Sequence, residues 1–152
     1  MGLVIMQIDV ETAFLNGKIN SKVYIKQPKG FEDGTSRVCK LIKALYGLKE
    51  SSRAWYECLA KFLISVGFKN SEIDYCLFYL KLKDEFVYLL IYVDDLLICG
   101  KNISLINKIK SLLSKRFKMK DMSEIKQYLG ITVNVEYCKN IIKLSQTKYI
   151  ES

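Results

Sequence analysis

Two adjacent acids interrupt an apolar run in the middle of the chain, Leu89-Leu90-Ile91-Tyr92-Val93-Asp94-Asp95-Leu96-Leu97-Ile98. The β-branched and aromatic residues around them favour strands. Two carboxylates this close repel each other, and partial burial raises the cost. One interpretation is that Asp94 and Asp95 are ordinary turn residues, because Asp is common in turns. Against it, the Asn-Gly or Asp-Gly pair typical of tight hairpins is absent.

A third acid, Asp9, comes near the end of another apolar run, Leu3 to Val10, which we interpret as a buried strand. If this strand lies beside the Asp94–Asp95 hairpin, the three carboxylates gather at one edge of a sheet. Hard oxygen donors without His or Cys suit Mg²⁺ or Mn²⁺. Two such ions can activate a 3′-hydroxyl and stabilise a leaving pyrophosphate.

The amino-acid composition excludes several kinds of catalytic and metal site and indicates the charge of a binding partner. The 152 residues include no His, which excludes Ser-His-Asp triads, Cys-His dyads and His-ligated zinc sites. Lys and Arg number 24 against 16 Asp and Glu, a net charge of +8. A basic domain of this kind favours a polyanionic partner such as nucleic acid. A merely Lys-rich surface is the alternative.

Neither a disulfide framework nor a membrane segment is indicated. The cysteines have no C-x-x-C pair and mostly apolar neighbours, so we expect small core residues. Residues 1–5 lack the basic segment of a secretion signal. The longest apolar stretch, residues 86–99, is too short to cross a bilayer and includes two acids.

The hydrophobic periodicity predicts strands and two helices in one domain over residues 1–152. One helix carries an apolar stripe from Trp55 to Val66 and ends at Gly67; the other runs from Ile103 to Phe117, capped by Asn102 or Ser104. The predicted strands are residues 3–10, 23–25, 37–41, 74–82, 86–93, 96–99, 128–135 and 141–144. This order predicts an α+β fold with helices packed on one face of an antiparallel sheet.

Several ordered motifs resemble reverse transcriptases of copia-type LTR retrotransposons. Tyr92-Val93-Asp94-Asp95 resembles their Tyr-x-Asp-Asp box, and residues 7–17, QIDVETAFLNG, resemble the first catalytic box of that branch. The other matching segments are residues 45–49 (LYGLK), 53–56 (RAWY), 117–122 (FKMKDM), 128–131 (YLGI) and 144–146 (LSQ). The similarity covers nearly the whole chain in the same order.

The resemblance implies a polymerase palm, a ferredoxin-like antiparallel sheet, within an RNA-directed DNA polymerase. Asp9, Asp94 and Asp95 would be the catalytic carboxylates and, with the Val10 carbonyl, the ligands of two Mg²⁺ or Mn²⁺ ions. Either Lys118 or Lys120 would protonate the leaving pyrophosphate. The substrates implied are dNTPs and a primer on an RNA or DNA template.

The resemblance also implies binding residues. Phe14 would exclude a 2′-hydroxyl from the sugar site, and core packing is the alternative for this ring. Tyr46 and Gly47 would shape the nucleotide pocket. The template and primer contacts implied are Lys49, Arg53, Tyr128, Leu129 and Gly130, the last three in a hairpin that grips the primer end. For Lys49 and Arg53, a solvated helix face is the alternative.

Residues 50–52, Glu50-Ser51-Ser52, depart from the family's usual Gln, small residue and Pro, and an acid there repels phosphates. We expect the chain to be a fragment of a Pol polyprotein, without the fingers, thumb, ribonuclease H and integrase, and to polymerise poorly alone. For the intact element the resemblance implies a cytoplasmic virus-like particle. A non-catalytic nucleic-acid-binding relic is the second hypothesis. A cyclase or primase is weaker, because those enzymes use ribonucleotides and have no need of Phe14.

Overall fold

The computed structural model describes residues 2–151, with strands and helices alternating along the chain. The strands are β1 (Val4–Val10), β2 (Tyr24–Ile25), β3 (Cys39–Lys40), β4 (Lys69–Asn70), β5 (Leu77–Leu82), β6 (Glu85–Tyr92), β7 (Asp95–Gly100), β8 (Met119–Glu124), β9 (Gln127–Tyr128), β10 (Ile131–Glu136) and β11 (Ile141–Ser145). The helices are α1 (Ser51–Ser65), α2 (Ile103–Arg116) and α3 (Thr147–Ile150), with 3₁₀ turns at Ala13–Asn16 and Tyr137–Lys139.

The described residues form two compact units. The first, here called the sheet unit, comprises the described residues of Met1–Glu11 and Leu63–Ser152; the second is Thr12–Phe62. The prediction of one domain over the whole chain stays a prediction.

The sheet unit is built on a six-stranded antiparallel sheet in the order β4-β5-β6-β7-β1-β8. Strands β1, β6, β7 and β8, taken in chain order with α1 and α2, follow the strand–helix–strand–strand–helix–strand pattern of a ferredoxin-like fold. The predicted α+β class with an antiparallel sheet is therefore confirmed. A separate three-stranded sheet, β11-β10-β9, follows in the chain.

Helix α2 packs on one face of the large sheet. Its buried residues are Ile106, Ile109 and Leu113, and Ile106 approaches Gly100 of β7. Asn102 is the N-cap, because its side chain accepts a hydrogen bond from the Leu105 N–H. The sheet side chains buried on the same face alternate along their strands, as the pleat requires: Ile8, Val10, Val87, Leu89, Ile91, Leu96 and Ile98.

The Thr12–Phe62 unit holds the short β2–β3 pair and the first twelve residues of α1. Its most buried side chains are Ala13, Ala44, Ser51, Trp55 and Leu59. The predicted apolar stripe of the first helix is thus partly buried, and Gly67 follows α1 with φ of 99°. Positive φ at the helix end is the conformation for which Gly is favoured.

Two predictions were wrong, and a strand of the large sheet was missed. The strand predicted over residues 128–135 is divided, because Leu129 and Gly130 both have positive φ and turn the chain between β9 and β10. Strand β8 was missed, since its sequence, MKDMSE, is too polar to show a strand pattern. The five cysteines are free, but Cys76 and Cys138 are exposed and the other three are only half-buried, so they are not core residues.

Within residues 2–151, no helix is both long enough and apolar enough to span a membrane.

Candidate functional site

The three acids converge at one edge of the large sheet. Asp9 of β1 lies directly opposite Asp95 of β7, so their side chains share a face. The row continues on both sides, with Lys120 of β8 opposite Asp9 and Tyr92 of β6 opposite Asp95. The neighbours Ile8, Val10 and Leu96 are buried, so the acids project from the face opposite α2. The predicted pairing of the opening strand with the Asp94–Asp95 hairpin is therefore confirmed.

Asp94 lies at the same edge of the sheet, in the hairpin turn between β6 and β7. The pairing of Tyr92 with Asp95 leaves Val93 and Asp94 as a two-residue turn. Val93 has φ of 55°, a rare conformation for a β-branched residue. The Val10 N–H donates to the Asp94 carbonyl at 2.8 Å, which attaches the turn to the end of β1. Asp94 is therefore a turn residue, as one interpretation held, whereas Asp95 begins a strand.

The acids influence one another electrostatically. Burial raises the pKa of Asp9, and the negative charges of Asp94 and Asp95 raise it further. The positive charge of Lys120 opposes this increase in the pKa of Asp9. Neighbouring carboxylates that destabilise one another's ionised form are typical of sites that bind cations or protons.

Gln7 is a site residue that the sequence analysis missed. Its Nε2 donates a hydrogen bond to Asp95 Oδ1 at 3.1 Å. The signal was present, because Gln7 is the one polar residue among Val4 to Ile8 and lies two positions before Asp9, on the same face of the strand.

The donor set fits a hard divalent cation in its chemistry. Carboxylates alone suit Mg²⁺ or Mn²⁺, and a bound cation would offset the mutual repulsion of Asp9, Asp94 and Asp95. Between residues 2 and 151, however, no three His, Cys, Asp or Glu side chains form a preassembled metal cage.

The two candidate lysines differ in their surroundings. Lys118 Nζ forms an ion pair with Glu11 Oε2 at 2.6 Å, which raises the pKa of Lys118. Lys120 lies in the row of the acids, opposite Asp9. The structure thus brings Lys120, rather than Lys118, to the acid cluster.

Tyr128 lies close to the acids, although Leu129 and Gly130 form the exposed turn beyond it. Burial raises the pKa of Tyr128 to about 12, and the negative charge of Asp95 adds to the increase. Among the described residues its buried hydroxyl has no hydrogen-bond partner. A half-buried phenol beside a carboxylate is thus the part of the predicted primer hairpin nearest the acids.

In the Thr12–Phe62 unit, the predicted nucleotide residues lie together. The rings of Phe14 and Tyr46 have centroids 4.6 Å apart and are tilted by 50°. Gly47 follows with φ of 90°, in open space, so its conformation rather than a close contact requires Gly. The roles of Phe14, Tyr46 and Gly47 in nucleotide binding stay predictions.

Two further residues hold this arrangement in place. Ser51 is completely buried, and its hydroxyl donates to the carbonyl of Leu45, directly before Tyr46. Gly17 ends the 3₁₀ turn that includes Phe14, and a Cβ there would lie 2.8 Å from the carbonyl carbon of Ala54 in α1. A glycine is required because only it allows the turn to approach the helix so closely.

The Thr12–Phe62 unit is strongly basic, with ten Lys and Arg against four Asp and Glu, which is six of the chain's eight net positive charges. Lys49 is exposed. Arg53 pairs with Glu57 at 2.9 Å in an exposed contact and lines an open cleft of about 300 Å³ with Lys18. Exposed pairs of this kind contribute little to stability.

Glu50 has a structural role that the sequence did not reveal. Its carboxylate accepts a hydrogen bond from the Ser21 hydroxyl, and its carbonyl accepts the Ala54 N–H at the start of α1. An acid at a helix N-terminus is also favoured by the helix dipole. Glu50 is thus hydrogen-bonded at the start of α1 through both its side chain and its main chain.

Comparison with known proteins agrees with this geometry. The model of the family described as reverse transcriptase (RNA-dependent DNA polymerase) matches residues 1–152. The Pol polyprotein of tobacco transposon TNT 1-94 is 42% identical over 154 residues, covering 99% of this chain and 12% of that protein. The Pol polyprotein of Arabidopsis thaliana transposon RE1 is 45% identical over 148 residues, covering 96% and 10%.

A yeast protein, the putative transposon Ty5-1 protein of Saccharomyces cerevisiae, is 33% identical over 145 residues, covering 94% of this chain and 47% of that protein. The chain therefore spans about a tenth of the length of the plant polyproteins and about half of the yeast protein. These similarities confirm the resemblance noted from the motifs.

Proposed function

Because the chain belongs to the reverse transcriptase (RNA-dependent DNA polymerase) family, as the reverse transcriptase domain of a transposon Pol polyprotein, we propose that it is the catalytic palm of such an enzyme. In this proposal it transfers a nucleotide from a dNTP to the 3′-hydroxyl of a primer. The observation that carries it is the pairing of Asp9 with Asp95 beside Asp94 at one sheet edge.

The carboxylates of Asp9, Asp94 and Asp95 and the carbonyl of Val10 would hold two Mg²⁺ or Mn²⁺ ions. Bound there, the ions would supply the positive charge that makes the 3′-hydroxyl nucleophilic and stabilises the leaving pyrophosphate. Lys120, rather than the paired Lys118, is the better candidate to give a proton to the pyrophosphate.

The remaining residues would hold substrates. Phe14, which follows Asp9 by five residues, would exclude the 2′-hydroxyl of a ribonucleotide, with Tyr46 and Gly47 completing the nucleotide site. Lys49 and Arg53 would contact template or primer phosphates, supported by the positive charge of their unit. Tyr128, Leu129 and Gly130 would contact the primer end.

The test replaces the matching segment of the tobacco polyprotein with this chain and measures primer extension on an RNA template with dNTPs and Mg²⁺. The proposal predicts DNA synthesis by the chimera. A chimera that is folded and binds the primer-template but extends no primer would instead support the non-catalytic relic.

A further inference from the structure

Gln7 lies beside the acids, half-buried on the face of the sheet opposite α2. On the face that carries Asp9 and Asp95 it is opposite Leu97 of β7 and Ser123 of β8. A half-buried amide in such a place loses hydrogen bonds with water unless the protein replaces them. The replacement is the bond from Gln7 Nε2 to Asp95 Oδ1 at 3.1 Å.

We propose that Gln7 is a positioning residue that fixes the carboxylate of Asp95 for divalent-cation binding; this inference rests on the proposed function. The bond reaches diagonally across the strand pair, since Gln7 is opposite Leu97 and Asp95 is opposite Asp9. It engages one carboxylate oxygen and leaves the other for a ligand.

The chemistry of the side chain explains why an amide suits this task. A Lys here would also donate to Asp95, but its charge would compete with the cation. A Glu would repel Asp95, and a Leu would leave it free to rotate. A neutral donor orients the carboxylate and keeps its negative charge intact.

Fixing Asp95 in advance matters because the cage is not preassembled among residues 2–151. Every side chain that must be ordered on binding lowers the affinity. With Asp95 held by Gln7, the cation has to order fewer carboxylates. Removing a residue that orients a metal ligand weakens metal binding by roughly 10- to 100-fold in other proteins.

The experiment measures Mn²⁺ binding to the 152-residue chain by the loss of the free-ion electron paramagnetic resonance signal. Gln7→Met keeps the length of the side chain and removes the donor, and Gln7→Asn keeps an amide that is too short to reach Asp95. We expect roughly ten-fold weaker binding for both, with the metal-free melting temperature close to that of the parent. The matched control is Gln146→Met, a substitution at an exposed residue, which should leave the affinity unchanged.

Affinity equal to the parent's in Gln7→Met and Gln7→Asn would overturn the inference, as would a loss confined to melting temperature. If Gln7→Met does not fold, Gln7→Asn decides alone. Asp9→Asn separates this inference from the proposed function. If Asp9→Asn loses Mn²⁺ binding while the Gln7 variants keep it, only the role of Gln7 is wrong. If Asp9→Asn binds Mn²⁺ as the parent does, the metal site itself is wrong, and the inference fails with it.

Discussion

Asp9 and Asp95 are directly opposite each other on neighbouring antiparallel strands, and the main chain of Val10 is hydrogen-bonded to that of Asp94. Like charges directly opposite each other destabilise a strand pair. The carboxylates of Asp9 and Asp95, with that of Asp94 in the adjoining turn, therefore destabilise this edge of the sheet. Such a cost is typical of functional sites, where stability and activity oppose each other.

Asp94→Asn should abolish DNA synthesis by the chimeric polymerase, because it removes a charged ligand of the proposed ions. We expect a loss of about a thousand-fold or more, equivalent to about 4 kcal/mol of transition-state stabilisation. The measurement is the rate of primer extension. The matched control is Asp84→Asn, since Lys83 and Asp84 form a similar two-residue turn with positive φ at its first residue. Synthesis by Asp94→Asn at the control's rate would contradict the assignment.

Phe14→Ala should admit ribonucleotides, because the smaller side chain leaves room for a 2′-hydroxyl. The measurement is the ratio of kcat/KM for a dNTP to that for the matching rNTP, which we expect to fall at least ten-fold in the chimera. Phe31→Ala, at a ring that is 82% exposed, is the control and should preserve the ratio. Unchanged selectivity in Phe14→Ala would leave core packing as the explanation of this ring.

Asp9→Asn should raise the thermal stability of the metal-free chain at neutral pH. The pKa of Asp9 is raised above its usual 3.8 in the folded state, so the native protein binds more protons than the unfolded chain just above pH 3.8. The contribution of Asp9 to stability therefore falls as pH rises through the folded pKa. Melting curves in a chelator should show the variant above the parent at pH 7, with the difference vanishing in acid. A variant less stable than its parent at pH 7 would refute the electrostatic account.

Ser51→Ala should destabilise the chain, because it leaves the Leu45 carbonyl without its buried donor. We expect a loss of about 1–3 kcal/mol in the free energy of unfolding, measured by urea denaturation. The adjacent Ser52 is exposed, so Ser52→Ala serves as the control, with an expected change within about 0.5 kcal/mol. Equal effects of the two substitutions would show that the Ser51 hydrogen bond is unimportant.

The sequence predicted the strands and helices that have strong hydrophobic periodicity. The helix from Ile103 was predicted with its buried stripe, because three of its residues recur at helical spacing on one face. Strand β8 escaped notice because only its backbone pairing with β1 makes it a strand. A strand that forms only through such pairing shows no hydrophobic periodicity in its own sequence.

The candidate site likewise contains some residues that the sequence predicted and others that only the structure revealed. The acids were recognisable because charges are unusual in apolar strands, and their motifs were similar to a known family. Gln7 and Gly17 lie in the same motif, but their roles could not be inferred from it. Gln7 contacts Asp95 and Gly17 approaches Ala54, and both partners are distant in sequence. The choice between Lys118 and Lys120 likewise needed the strand register and the ion pair with Glu11.

The most direct test of the central claim is to locate a bound cation by nuclear magnetic resonance. Substoichiometric Mn²⁺ broadens amide signals near its binding site. We predict that the amide signals of Val10, Asp94 and Asp95 are the first to broaden, while that of Asp84 stays sharp. Broadening centred on Asp84, with Val10 and Asp95 unaffected, would contradict the claim that the carboxylates of Asp9, Asp94 and Asp95 form the metal site.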